Sequence, residues 1–226
     1  MLAELREVTK RYVTTEGVRD LTLDIPEGQV LGVLGLNGSG KTTMLKLLAG
    51  LLFPTQGQVT VLDGPPRRNR ARLVFLGETD ELYGWMTPAD GERFMTGLYN
   101  DFYPDRYRDL LDFLEVPRRK TKAMSRGERG RLRLAMALAR EVKLYLLDEP
   151  LAGIDLLSRE RILKSLVREW HTDATIVLST HEVAEAEGLF ERVVFLKEGR
   201  VALDTQAEAL REEGRSVVDT FREVLG

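Results

Sequence analysis

The chain has 226 residues, 43% of them hydrophobic and 31% charged, and a net charge of −3. That is enough apolar material for one large domain, or for a domain with a subdomain, and the charge balance carries no global footprint of nucleic-acid binding. Cysteine is absent, which excludes a disulfide framework and a thiolate metal site, and no uninterrupted run approaches the roughly 18 apolar residues of a membrane span.

Residues 2–8 and 20–25 alternate apolar and polar in the manner of half-buried strands. The first residues lack the apolar core of a signal peptide, so a cytosolic chain is expected. Val30-Leu31-Gly32-Val33-Leu34 is a short apolar run suited to a strand buried on both faces. It leads into Gly35-Leu36-Asn37-Gly38-Ser39-Gly40-Lys41-Thr42, the pattern of the phosphate-cradling P-loop. In such a loop Gly35, Gly38 and Gly40 let the backbone turn tightly, so that amides such as those of Asn37 and Ser39 face phosphate oxygens at a helix N-terminus. Lys41 then sits on the β- and γ-phosphates, Thr42 offers its hydroxyl to Mg²⁺, and Thr43 continues the helix. Residues 44–49 read as that helix, closed by Gly50, so strand, loop and helix stand in the required order for a site taking ATP or GTP. Further short strands are expected at 58–62 and 72–76. The basic runs at 67–72 and 118–122 are read as solvated surface or, alternatively, as local nucleic-acid patches.

From about 87 to 141 the pattern turns helical: Thr87-Pro88 is a start signal, and Tyr107, Leu110, Leu111 and Leu114 keep helical spacing. Met124-Ser125-Arg126-Gly127-Glu128 opens a helix with a capping box from Ser125 to Glu128, a glycine-containing start that is also suited to anions. Leu144-Tyr145-Leu146-Leu147-Asp148-Glu149 then places two carboxylates at the end of an apolar strand, where open α/β sheets hold ligands. Asp148 is the candidate Mg²⁺ ligand and Glu149 the candidate base for an attacking water; the other reading is a surface pair opening a loop at Pro150. An amphipathic segment at 156–170 separates this strand from a second at 175–178, and Ser179-Thr180-His181 should bring His181 to the same sheet edge as a γ-phosphate contact. His171 reads as a surface histidine. Residues 192–196 and 200–203 form an expected hairpin at Glu198-Gly199, followed by one charged helix.

Taken together, the loop, the paired carboxylates, His181 and the segment at 124–128 resemble the nucleotide-binding subunit of ATP-binding cassette (ABC) transporters, whose signature is usually written LSGGQ. The resemblance implies an α/β fold: a P-loop NTPase core with a mixed sheet, an N-terminal antiparallel β subdomain and an inserted all-α helical subdomain. The chain would be a single ABC ATPase domain, with 1–86 and 142–226 as core and 87–141 as the signature subdomain. It implies that Tyr12 stacks on adenine, that Asp155 in Leu151-Ala152-Gly153-Ile154-Asp155 lies in the D-loop, and that Ser125 and Gly127 close over the ATP of a second subunit paired head to tail. Lys41, Glu149 and His181 would be the catalytic residues, and ATP with Mg²⁺ the cofactors.

Two departures stand out. Glu78 occupies the place where the family most often has glutamine, as a contact to Mg²⁺ or its waters, and Arg126 and Glu128 replace the first glycine and the glutamine of the signature. Leu82, Tyr83, Trp85 and Met86 are either subdomain core or the surface that meets a polytopic membrane permease. The compact tail leads to the expectation of a bacterial exporter subunit, peripheral on the inner face of the cell membrane. The alternative is a soluble ABC-type ATPase acting on nucleic acid or ribosomes. A single cassette with only roughly eighty residues between P-loop and signature weighs against it.

Overall fold

The computed structural model describes residues 1–79, 82–169 and 173–226. The chain folds as two compact units, one made of Met1–Phe75, Lys143–Glu149 and His171–Gly226, the other of Leu76–Val142 and Pro150–Trp170.

The first unit opens with strands β1 (Ala3–Arg11) and β2 (Glu16–Ile25), which pair antiparallel; β4 (Gln56–Val61) pairs antiparallel on the other side of β1, giving a three-stranded sheet. A second, six-stranded sheet has the order β5 (Leu73–Leu76), β6 (Leu144–Asp148), β7 (Thr175–Thr180), β3 (Val30–Leu34), β8 (Arg192–Lys197) and β9 (Arg200–Gln206). Strands β6, β7, β3 and β8 run parallel, and the β8–β9 hairpin is antiparallel. The mixed sheet and the antiparallel N-terminal sheet are those expected. Every residue of β3, β6 and β7 is buried, as a parallel sheet covered on both faces requires.

Helix α1 (Lys41–Leu48) leaves the loop after β3 and buries Met44, Leu45, Leu47 and Leu48 in one core with Leu5, Leu21 and Ile25 of the antiparallel sheet and Leu31, Leu144 and Val177 of the mixed sheet. Burial of each such side chain contributes about 1.5–3 kcal/mol. The helix that begins at Lys41 is thereby anchored along a whole face. Register then sets the site: Leu34 pairs with Thr180 and Asp148 with Ser179, so β3, β6 and β7 end side by side.

The second unit is helical. Helices α2 (Pro88–Leu98), α3 (Pro104–Phe113), α4 (Arg126–Leu138) and α5 (Leu156–Glu169) pack on one another around Tyr107, whose fully buried hydroxyl donates to the carbonyl of Pro88 at 3.0 Å. Burial pushes the Tyr107 phenol well above its usual range. Capping boxes start α2 (Thr87 with Asp90) and α4 (Ser125 with Glu128).

Several expectations are corrected. Strands β1 and β2 run longer than the alternation suggested, and residues 66–72 form a 3₁₀ turn that takes Arg72 out of β5. After the short helix α6 (Val183–Ala186), the single tail helix is two, α7 (Ala207–Glu212) and α8 (Val217–Leu225). They are separated at Gly214, which adopts φ +73°. Of the apolar cluster after Glu78, Met86 is core, whereas Tyr83 and Trp85 are about 60% exposed and stacked with ring centroids 5.8 Å apart. His171 and the last residue of the expected 156–170 helix lie outside the described residues.

Candidate active site

The loop between β3 and α1 is built on glycine. A Cβ on Gly35 would fall 2.3 Å from the Ser39 Oγ, and one on Gly40, at φ +105°, 2.3 Å from the Gly17 carbonyl. No side chain fits at either place. Asn37 and Gly38 are exposed, Thr42 is half-buried, and the Ser39 hydroxyl is buried without a hydrogen-bond partner. The Lys41 ammonium folds back over the loop: it donates to the carbonyl of Gly35 at 2.7 Å and of Leu36 at 3.3 Å.

Lys41 also lies 3.3 Å from Glu149 Oε1, with the two side chains only 6% and 8% exposed. Glu149 follows β6 in the left-handed region, φ +49°, which costs a non-glycine residue about 1–3 kcal/mol. Its amide holds that conformation by donating to both the carbonyl and the hydroxyl of Ser179, each at 3.1 Å. Glu149 Oε2 accepts from the His181 amide at 3.3 Å, and Oε1 stands 3.0 Å from His181 Nδ1. Oε1 makes no aligned hydrogen bond, so its two close contacts are electrostatic. Ser179 in turn donates its hydroxyl to Asp148 Oδ1 at 2.6 Å. Sequence reasoning passed over Ser179; its signal was a small hydroxyl at the end of an apolar strand.

Asp148 is 1% exposed, and its second oxygen, Oδ2, is buried with no hydrogen-bond partner. An unpaired buried carboxylate oxygen is a costly group unless a cation uses it. Hard Mg²⁺ fits that donor, and the Thr42 hydroxyl at the start of α1 is an oxygen of the same hard type. Among the described residues no three His, Cys, Asp or Glu side chains converge on a metal position, so such an ion draws further ligands from phosphates and water. On the flank of α1, the Tyr12 hydroxyl sits 3.2 Å from Thr43 Oγ1, and the residue is 43% exposed.

The other candidates belong to the second unit. The Ser125 hydroxyl caps α4 by accepting from the Glu128 amide at 3.2 Å, and Glu128 accepts from the Ser125 amide at 2.7 Å while pairing with Arg119 at 2.8 Å. Those contacts hold the Glu128 carboxyl below its usual range, the Ser125 amide most strongly. A Cβ on Gly127 would meet nothing nearer than Asp155 Oδ2 at 3.9 Å, so α4 starts with an open backbone. Asp155 accepts from the Ser158 amide at 3.0 Å, and bonding to Ser158, through its side chain first, keeps that carboxyl low. Glu78 is exposed and stands 3.9 Å from Arg126, whose guanidinium lies against Gly153. Glu78 and Arg126, one from each departure from the family pattern, thus face each other.

The description of the ABC transporter family matches residues 18–152, the span from β2 through both carboxylates. The chain belongs to the ABC transporter family. This ABC subunit is 34% identical over 216 residues to an aliphatic sulfonates import ATP-binding protein of Pseudomonas savastanoi pv. phaseolicola, covering 93% of this chain and 78% of that protein. It is 29% identical over 226 residues to the uncharacterized ABC transporter ATP-binding protein YxlF of Bacillus subtilis, covering 97% and 76%. Among solved structures, an ATP-binding subunit of an ABC transporter matches with a TM-score of 0.86 at 26% identity, over 99% of both chains. A dimeric ATP-binding cassette in a post-hydrolysis state, bound to ADP and Pi, matches with 0.81 at 25%, over 91% of this chain and 98% of that one. The ABC subunit is therefore an ATPase whose cofactors are ATP and Mg²⁺. Its family membership implies a partner nucleotide-binding subunit and a membrane permease. Among the described residues no helix is long and apolar enough to cross a membrane.

Proposed function

We propose that this subunit converts ATP hydrolysis into movement of a substrate through a separate polytopic permease, working on the cytoplasmic face of the membrane as a head-to-tail pair of ABC ATPase domains. By role each domain has 1–86 and 142–226 as nucleotide core and 87–141 as signature subdomain, although 76–86 and the Pro150–Trp170 segment fold with the helical unit. The observation that carries the reading is the convergence of Lys41, Asp148, Glu149 and His181 where β3, β6 and β7 end. In this reading the loop amides bind phosphate oxygens, Lys41 exchanges its carbonyl and carboxylate partners for the β- and γ-phosphates, and Tyr12 lies on adenine. Thr42 and Asp148 would hold Mg²⁺, which would supply charge neutralisation on the phosphates. Glu149 orients a water and accepts its proton as the oxygen bonds to the γ-phosphorus and the bond to the β,γ-bridging oxygen breaks, while His181 steadies the γ-phosphate. Ser125 and Gly127 of one subunit, with Asp155 nearby, close over the nucleotide of the other.

The export expected from the compact tail finds no support. The Pseudomonas relative reported above is named as a sulfonates import protein, which favours inward transport of a small anionic substrate such as a sulfonate. The exposed Tyr83–Trp85 stack is the proposed permease contact. Glu149→Gln tests the reading: it should bind ATP but lose about 10²–10⁴ in turnover, as a missing general base does. Captured with ATP from solubilised membranes of its host, it should bring down a polytopic membrane protein. Undiminished hydrolysis overturns the role of Glu149, and recovery of ribosomes or nucleic acid in place of a permease overturns the transport reading.

A further inference from the structure

Most arginines of this chain face a carboxylate, and the basic run at 118–122 is partly neutralised in this way, Arg118 by Asp112 and Arg119 by Glu128. The run at 67–72 is different. Among the described residues no carboxylate pairs with Arg67, Arg68, Arg70 or Arg72, although the chain as a whole carries a net charge of −3. All four are exposed on one 3₁₀ turn, and the turn is rigidly mounted. Asn69 is buried beneath it and donates to the carbonyls of Val61 at 2.7 Å and Leu62 at 3.3 Å; Arg70 bonds the Gly50 carbonyl; and the Arg67 backbone packs so closely under Gly50 that a Cβ there would meet it at 2.6 Å. The loop after α1 meets the same turn and presents two large apolar side chains to solvent, Leu51 at 47% and Phe53 at 61% exposure, with the Arg67 guanidinium 5.7 Å from the Phe53 ring centroid.

Four exposed guanidinium groups with no carboxylate partner, on a turn held from beneath and beside two protruding apolar side chains, match the outer layer of an anionic bilayer. Guanidinium binds phosphate oxygens in a bidentate fashion, while Phe53 and Leu51 reach the acyl boundary. We propose that this turn, with Leu51 and Phe53, is a docking surface for anionic phospholipid headgroups. It steadies the subunit against the membrane independently of the permease. The proposal rests on the transporter reading for the presence of a membrane, but its chemistry is testable without a permease.

The test is co-sedimentation of the full chain with vesicles of phosphatidylcholine, with and without one third phosphatidylglycerol. Binding is expected only with the anionic lipid and should weaken in high salt. Each arginine near such a surface is worth about fivefold in affinity, so Arg67→Ser with Arg68→Ser should lose about 25-fold, and Phe53→Ser should also bind less tightly. ATP hydrolysis in solution should be unchanged in all of these variants. Equal binding to neutral vesicles, undiminished binding by the double arginine variant, or stronger binding to single-stranded RNA than to anionic vesicles would each overturn the proposal. If vesicle binding fails while a permease is still captured, the lipid surface alone is lost and the transporter reading stands.

Discussion

Lys41 and Glu149 are a buried pair that ATP would have to separate if Lys41 takes its proposed place on the phosphates. The ammonium is held by two loop carbonyls and one carboxylate oxygen, and that same oxygen also faces His181. In that case phosphates and the Glu149 carboxylate would compete for one cation, and a second negative charge beside the phosphates would oppose their arrival. Removing one partner of a buried pair leaves the other uncompensated, at a cost of about 3–5 kcal/mol. In Glu149→Gln that cost is relieved when phosphate reaches Lys41, so the variant should bind a non-hydrolysable ATP analogue about tenfold or more tightly than the native chain, equivalent to about 1.4 kcal/mol. Titration calorimetry with the analogue removes hydrolysis from the comparison. Equal affinities would show that the pair does not compete with nucleotide.

At the scale of the element, helix starts in the signature subdomain carry a pH signature. The Asp90 carboxyl is lowered to about 2, first by the Thr87 hydroxyl, then by the Thr87 amide and by Arg93. A carboxyl lower in the folded than in the unfolded chain stabilises the fold above its ordinary range and loses that contribution as pH falls from about 4 to about 2. Asp90→Asn should therefore melt below the native chain at pH 7, with the gap closing by about pH 2, as followed by circular dichroism. That start was legible in Thr87-Pro88, because a cap is written within a few consecutive residues. The P-loop, the carboxylates after β6 and the short apolar strands were legible for the same reason. The full lengths of β1 and β2 were not: Glu7 at φ +49° and Asp20 at φ +46° accompany shifts of register that break the alternation of faces a reader follows. Equally hidden was Ser179 as the hub that shapes Glu149, since the bond joins residues 30 apart in sequence and exists only because β6 and β7 pair.

For the whole molecule, the division of labour between its two units decides how many chains make one site. Lys41, Asp148, Glu149 and His181 stand on one unit, and Ser125, Gly127 and Asp155 on the other. If the signature acts on the nucleotide of a partner, two different defects can be separated by mixing. Lys41→Ala removes the phosphate cation, so both sites of its pair fail. Gly127→Asp places a negative charge where the signature meets phosphate; the position is open, and an acidic residue in the first turn suits the helix, so α4 should still form. Both sites of that pair fail as well. In a mixed pair one site takes both defects, while the other joins the intact Lys41 of one subunit to the intact Gly127 of its partner. Equal mixing gives half mixed pairs, each with one working site, so turnover should recover to roughly a quarter of the native rate from two inactive parents. If each chain used its own signature, no combination would contain a complete site, and the mixture would stay as inactive as its components.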